Sequence, residues 1–530
     1  MMKFLGVETK LRFVLCMCSV LAAGGFAQSA VFAAGRDDAA AVGAGAGAST
    51  SGDQSSDGSA SDSAKPAGSS TAAPAGSAAA PPGGQPAAKT DAIGEPPTPV
   101  STVPLLYPKL TGIWAGAPLS PSLSEQFNEK LPSWLRFSGE FRERFEGYSG
   151  ASFKHNSTND YDLQRIRLGM QIKPTNWVRF YIEMQDARVF GITPALPPYQ
   201  NTDDIRQAYI QFGNSEGNGF TLQGGRFDMT YGNNRLIGNS WWTNVSRSFD
   251  GVRAAYQLGR FRIDAFATSV VIIRDGVIDH HNEGQVLYGA YATAHDVIPH
   301  ATLDVYEFWN IRPTFALVNF KASGHLSEWT TGFRWVGALP ANFDYRTEMA
   351  YQLGTLTPDK IRAWMGHWVL GYSFKNAPIR PRLFVEYDYG SGSPNTKGGY
   401  DNTFDPIFPS THDKLGLADQ FGWRNIRDLR FGQEFHIARK WTAATSFHDF
   451  WLANAHDALY PTRGSNIAQS ATGVDGTHVA EELDIQAIFT PTRQTQVDFG
   501  FGHVIPAEFL KKATQGVAYN YPYMMIEYVF

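Results

Sequence analysis

Cysteine is almost missing from this chain of 530 residues: Cys16 and Cys18 are the only two, and both lie near the start. No disulfide framework and no cysteine-based metal cluster is available to the rest of the chain. Charge is sparse as well, at 18% against roughly 25% in a soluble domain, with a formal net charge of -5. A slightly acidic chain has no electrostatic footprint for nucleic acid, so that partner is excluded. Beyond the first two dozen residues there is no uninterrupted apolar run of about 20, which excludes helical membrane spans. It does not exclude a chain whose apolar residues come one in two, as in the strands of a barrel. Also missing are H-E-x-x-H, a nucleophile elbow, a P-loop and an EF-hand loop, so no cofactor is implied and no enzyme signature is present. The histidine clusters His280-His281, His412-Asp413 and His448-Asp449 read as polar loop or wall residues. Asp401-Asn402-Thr403-Phe404-Asp405 lacks the ligand density of a calcium loop.

What is present begins with Lys3, Lys10 and Arg12 ahead of an apolar segment at 11–23 and a small-residue exit at Gly25-Phe26-Ala27. This is a secretory signal over residues 1–27, cut after Ala27 or alternatively after Ala33, and both cysteines leave with it. Residues 28–102 are Ala, Gly, Ser and Pro with a few Asp. They hold too little apolar mass to offset the entropy of ordering, so a disordered N-terminal tether is expected, either a passive linker or a periplasmic spacer reaching a partner. Residues 103–130 form a connector in which Ser120-Pro121 can start a short helix carrying Leu123 and Phe127.

From 131 to 530 the pattern changes. In 134–146, W-L-R-F-S-G-E-F-R-E-R-F-E, Leu135, Phe137, Gly139, Phe141 and Phe145 share one parity, while Arg136, Ser138, Glu140, Arg142, Arg144 and Glu146 share the other. Bare Phe and Leu opposite a ladder of Arg and Glu is the pattern of a strand with one face to lipid and the other to water. The same alternation returns at 162–173, with Ile166, Leu168, Met170 and Ile172 outward, and at 177–188 across a Pro174-Thr175-Asn176 turn. Continued to the end, it gives about 18 strands. The connections between them alternate compact (174–176, 259–260, 438–439, 490–494) with mostly longer (228–248, 390–423, 452–478). The fold class predicted is therefore all-β: a closed antiparallel transmembrane barrel of about 18 strands in an outer membrane, with both termini periplasmic. The even count puts both termini on one side, and the edge problem requires closure. The terminal run M-M-I-E-Y-V-F ends in Phe530, a terminal aromatic suited to the outer-membrane assembly machinery.

Arg165, Arg167, Arg179, Arg253, Arg334, Arg346 and Arg362 fall in these strands, mostly on the polar parity. Guanidinium groups stay charged and pair with carboxylates in a bidentate fork, so such a wall concentrates anions. Acidic residues on the same face, including Glu140, Glu146, Asp344 and Glu348, offer the alternative that the arginines satisfy a water-filled interior by internal pairing.

Two segments carry a more particular likeness. Gly225-Arg226, Tyr231-Gly232, Arg235-Leu236-Ile237-Gly238, Trp242 and Arg247-Ser248-Phe249-Asp250-Gly251-Val252-Arg253 form the first. Phe404-Asp405-Pro406-Ile407-Phe408-Pro409, Gly416-Leu417-Ala418-Asp419 and Gly422-Trp423-Arg424-Asn425-Ile426-Arg427-Asp428 form the second. Together they resemble the signature of the alginate-export family, over the barrel and not the tether. The resemblance implies an 18-stranded barrel, an arginine-rich lumen and passive passage of an anionic oligo- or polysaccharide such as alginate, in the export direction and with periplasmic export components. It singles out Arg235, Arg247 and Arg253. It also implies a long periplasmic plug late in the barrel, whereas Thr490-Pro491-Thr492-Arg493-Gln494 is tight. Two rival readings use the same barrel: a porin for small nutrients, narrowed by inward loops, and an enzyme at the external mouth.

Overall fold

The computed structural model describes residues 123–530 apart from 196, 214–217, 316–323, 395–397, 463–465, 471 and 493. The signal at 1–27, the tether at 28–102 and most of the connector lie outside the described residues.

The first strand, Leu135–Ser149, follows from its alternation. It pairs along its whole length with Thr158–Thr175, from Leu135 opposite Ile172 to Ser149 opposite Thr158. On its other edge it pairs with the last strand, Tyr519–Val529. The seam continues one residue further. Phe530 N–H donates to Gly139 O (2.9 Å), and Gly139 N–H donates to Phe530 O (2.7 Å). Gly139 leaves the space that the Phe530 ring fills, and a Cβ at that position would force the ring to move. Of the twenty strands in the sheet, His280–His281 and Tyr400–Asp401 are two-residue appendages, leaving eighteen wall strands, each antiparallel to its neighbours. The closed barrel leaves no edge open to pair with another chain.

Burial is inverted relative to a water-soluble domain. Leu168 is 55% exposed and Leu370 53%, while Arg142 and Arg165 are fully buried. That distribution is stable only where hydrocarbon surrounds the wall. One end of the barrel carries tight turns such as 176–177, 259–260 and 439–440. The other carries the long connections 228–248, 391–425 and 453–477. The rhythm has one exception: the loop-end connection between Phe343–Leu356 and Asp359–Ser373 is only two residues. A helix, Glu508–Ala513, lies in the last loop-end connection, where the sequence reading had no element. The expected N-terminal helix is Leu123–Glu129. Asn128 fastens it to the turn end of the first strand, with Nδ2 donating to Phe137 O (2.7 Å) and Oδ1 accepting from Phe137 N–H (2.8 Å).

The long connections do not stand off the barrel; they fold into its bore. Leu236, Ile237, Trp242, Phe404, Phe408, Phe421 and Trp423 are buried there against wall residues Phe249, Phe308, Met365, Phe450 and Val504. Toward the loop end the inward parity itself turns apolar, as at Ala363 and Met365 or Phe450 and Leu452. Burying each large side chain contributes roughly 1.5–3 kcal/mol, which is what draws the loops inward.

Candidate functional site

The arginines of the first two strands meet the inserted loop 228–248. Arg142 Nη1 donates to Trp241 O (2.9 Å), and its Nη2 donates to Trp242 O (3.3 Å) and Thr243 O (3.2 Å). Arg165 Nη1 donates to Trp241 O (3.2 Å), Thr243 O (3.1 Å) and Asn244 O (3.3 Å). Arg167 Nη2 donates to Ser246 Oγ (2.8 Å). Arg144 donates to Trp242 O and lies 3.9 Å over the Trp242 ring, whose other face stacks on His412 at 3.6 Å. The ladder that opens the barrel thus supplies donors for a run of loop carbonyls, which would otherwise be buried without partners.

A second anchorage holds the opposite side of the bore. Arg235, carried in on the same loop, pairs with Glu386 (2.9 Å) and Asp388 (3.5 Å) and lies 4.5 Å over the Trp423 ring. His367 bonds Asp388 (2.6 Å), and Arg235 Nη2 is 3.2 Å from His367 Nε2. His367, Glu386 and Asp388 have the donor atoms of a metal site, but the Arg235 guanidinium already occupies the cation position. The loop 391–425 docks by backbone donors: Ala418 N–H to Glu482 Oε1 (2.9 Å) and Leu417 N–H to Asp484 Oδ2 (3.2 Å). Gly416 is needed beside them, since its φ is +87° and a side chain would collide with the Glu482 carboxylate. The two loops also join each other, with Gly238 N–H to Phe408 O and Phe408 N–H to Leu236 O, both 2.9 Å. Within 391–425, Arg424 pairs with Asp405. Burial opposes ionisation of Asp405, but the charges of Arg424 and Arg312 outweigh it and hold the carboxyl below the ordinary range.

The nine arginines expected along the lumen separate by partner. Arg165 and Arg167 share Glu140, the latter at 3.2 Å, and Arg334 pairs with Asp304 at 2.7 Å. Arg235 is paired as above. Arg179 is buried on the inward parity near the turn end. Arg247 braces the loops, its Nη1 donating to Gly238 O (2.6 Å), Phe408 O (2.7 Å) and Pro409 O (3.3 Å). Arg253 faces inward, donates to the neutral Gln223 (2.6 Å) and lies 5.3 Å over Phe227. Arg346 also faces inward, half-exposed, and makes no hydrogen bond or ion pair to a described residue. Arg362 corrects the expectation of an inward wall. It shares the outward parity with Lys360 and Trp364, and its guanidinium stacks 4.6 Å over Tyr400 at the loop end.

Two of the sequence-adjacent histidine pairs find their partners elsewhere. His448 bonds Asp428 (2.7 Å) and Asp484 (3.3 Å) rather than Asp449, and it is sealed from solvent. His412 bonds Asp419 rather than Asp413. In the suggested calcium run, Asp401 Oδ1 is taken by Ser393 Oγ and Thr403 N–H, both 3.0 Å. Sequence reasoning missed Glu386, Asp388, Glu482 and Asp484 as loop receptors. Their signal was available as acidic residues on the inward parity at the level where the loops turn in.

A family model described as alginate export matches residues 133–523. No curated protein matches the chain. Among solved structures, Pseudomonas aeruginosa OccK8 (OprE) is similar at a TM-score of 0.51 and 10% identity, covering 75% of this chain and 98% of that one. Pseudomonas aeruginosa OccD3 (OpdP) gives 0.49 and 11%, covering 76% and 92%. The outer membrane protein opdK of the same organism gives 0.49 and 8%, covering 75% and 98%.

Proposed function

The chain belongs to the alginate-export family, an outer-membrane channel by fold, and from that premise we propose that it passes an anionic oligo- or polysaccharide such as alginate, outward, with the loop end facing the cell exterior. The observation that supports a cargo with carboxylates is the pair Arg253 and Arg346. Both point into the bore, and neither is neutralised by a carboxylate contact, unlike Arg165, Arg167, Arg235 and Arg334. A guanidinium with no carboxylate in contact, even with Asp344, Glu434 and Glu386 acting on Arg346 from further off, keeps its hydrogen-bonding face available to a passing uronate. The terminal Phe530 serves outer-membrane assembly, periplasmic components deliver the polymer, and residues 28–102 act as a passive tether behind a cleaved signal.

The test is reversal potential in planar bilayers under a salt gradient. Arg253→Gln with Arg346→Gln is expected to lower the anion preference several-fold, since a unit charge about 4 Å from a permeating ion is worth roughly 1 kcal/mol in watery surroundings. Normal folding with unchanged selectivity would remove the cargo argument.

A second reading, a channel for small anionic solutes, is supported by the inserted loops, whose apolar residues pack inside the barrel. Current block separates the two. A polyuronate that blocks more strongly per residue than its monomer favours the polymer channel, and equal block favours the small-solute one.

A further inference from the structure

We propose that Lys360 and Arg362 form a binding site on the outer wall, at the loop end of the barrel, for the phosphate of a membrane lipid headgroup. The two side chains follow each other on the outward parity of the strand Asp359–Ser373, so they stand about 7 Å apart on one face. Both are exposed. Next on that parity comes Trp364, also exposed, which stacks on Tyr389 at 4.2 Å. Aromatic girdles of this kind mark the level where hydrocarbon gives way to headgroups. Lys360 and Arg362 lie beyond it, on the loop side. A lipid-facing cation is destabilising deep in the hydrocarbon, but at the headgroup level it costs little and attracts anionic lipid.

The charges of both residues are uncommitted. Neither side chain makes a hydrogen bond or ion pair to a described residue, and the Arg362 guanidinium lies 4.6 Å over the Tyr400 ring. The neighbouring carboxylates serve the loop instead. Asp359 is buried and accepts from Gly399 N–H (2.5 Å), and Asp401 Oδ1 is held by Ser393 Oγ and Thr403 N–H. The Tyr400 stack engages the face of the guanidinium plane and not the N–H edge, which is the edge that grips phosphate in two prongs. Tyr400 is fixed in turn, because Lys360 N–H donates to Gly399 O (3.1 Å) and Asn402 Nδ2 donates to Arg362 O (2.8 Å). The site is thus assembled before a lipid reaches it. Arg188 provides the contrast: it is exposed and outward near the loop end of Val178–Phe190, but Asp186 takes its guanidinium at 2.7 and 2.9 Å.

Native mass spectrometry of the full chain in detergent, with an equimolar mixture of lipid A and its dephosphorylated form, reads which lipid stays bound. The unaltered chain should prefer the phosphorylated form by about thirtyfold, and Lys360→Gln or Arg362→Gln should each leave about fivefold. The double change should abolish the preference while the heat-modifiable folded band persists, and Arg188→Gln should leave it intact. Equal retention of the two lipids by the unaltered chain overturns the site without any variant having to fold. An undiminished preference in the double change overturns it as well, as does an equal loss in Arg188→Gln, which would mean that any cation at the rim attracts lipid. Displacement of the lipid by millimolar inorganic phosphate would make this a site for free anions and overturn the assignment to a headgroup.

Discussion

Arg165 and Arg346 carry the same charge on the same face of the wall, yet their surroundings assign them different work. Arg165 has Glu140 beside it and three loop carbonyls in front of it, so its charge is spent within the protein. Arg346 has no such contacts and remains half-exposed to the bore. Parity alone could place both on the inner face, but it could not distinguish them, because the distinguishing partners arrive from a loop some 75 to 80 residues away in sequence. Arg247 belongs with Arg165. It grips three carbonyls across the junction of the two inserted loops, and hydrogen bonds to a charged donor contribute roughly 1.5–3 kcal/mol each. Arg247→Gln is therefore expected to raise open-channel current noise, as the junction loosens, while leaving ion selectivity where it was. A selectivity shift at unchanged noise in single-channel recordings would reassign Arg247 to the permeation path.

The strands were legible because their chemistry alternates residue by residue, and lipid on one side forces that alternation to be strict. Leu135–Ser149 and Thr158–Thr175 come out with the parity that 134–146 and 162–173 announce. Arg362 escaped because it lies near the loop end of Asp359–Ser373, where Ile361, Ala363 and Met365 make the inward face apolar and the polar-in rule fails. The inserted loops were not placed for a related reason. Trp241, Trp242, Phe404, Phe408, Phe421 and Trp423 are too apolar for connections bathed in water, but a sequence shows that they need burial without showing where. Closure belongs to this scale too. Gly139 leaves the niche that the Phe530 ring fills over the first strand, next to paired backbone groups of both residues. Gly139→Leu is expected to displace that ring and lower the yield of heat-modifiable folded barrel, whereas Gly147→Ala, whose Cβ would meet only ordinary contacts at 3.5 Å or more, should not. Equal yields from both would mean that the terminal ring has no part in sealing the seam.

At the scale of the whole molecule, a wall with a largely polar inner face holds folded loops in its bore. The loops are retained by apolar packing and by buried arginines. They are not covalently fixed, and the turn end offers only five residues at 490–494 where a late periplasmic plug would lie. Replacing 236–246 by a short Gly-Ser link removes Trp241, Trp242 and the carbonyl run that Arg142, Arg144 and Arg165 grip. The wall should still close, because its ladder and the Gly139–Phe530 seam do not involve this loop. Glu140 and Glu146 still pair with Arg165 and Arg144, but the donors that gripped loop carbonyls would be left buried and unpaired at a cost of roughly 1–3 kcal/mol each, so water must enter the vacated space and hydrate them. Two consequences then appear together. Conductance rises several-fold as the bore widens, and anion preference increases because guanidinium groups now face the permeating ions. Higher conductance without greater anion preference would show that the loop blocks the path while the first-strand arginines lie away from it. Unchanged conductance would place the permeation path elsewhere in the bore, leaving 228–248 as a structural fill.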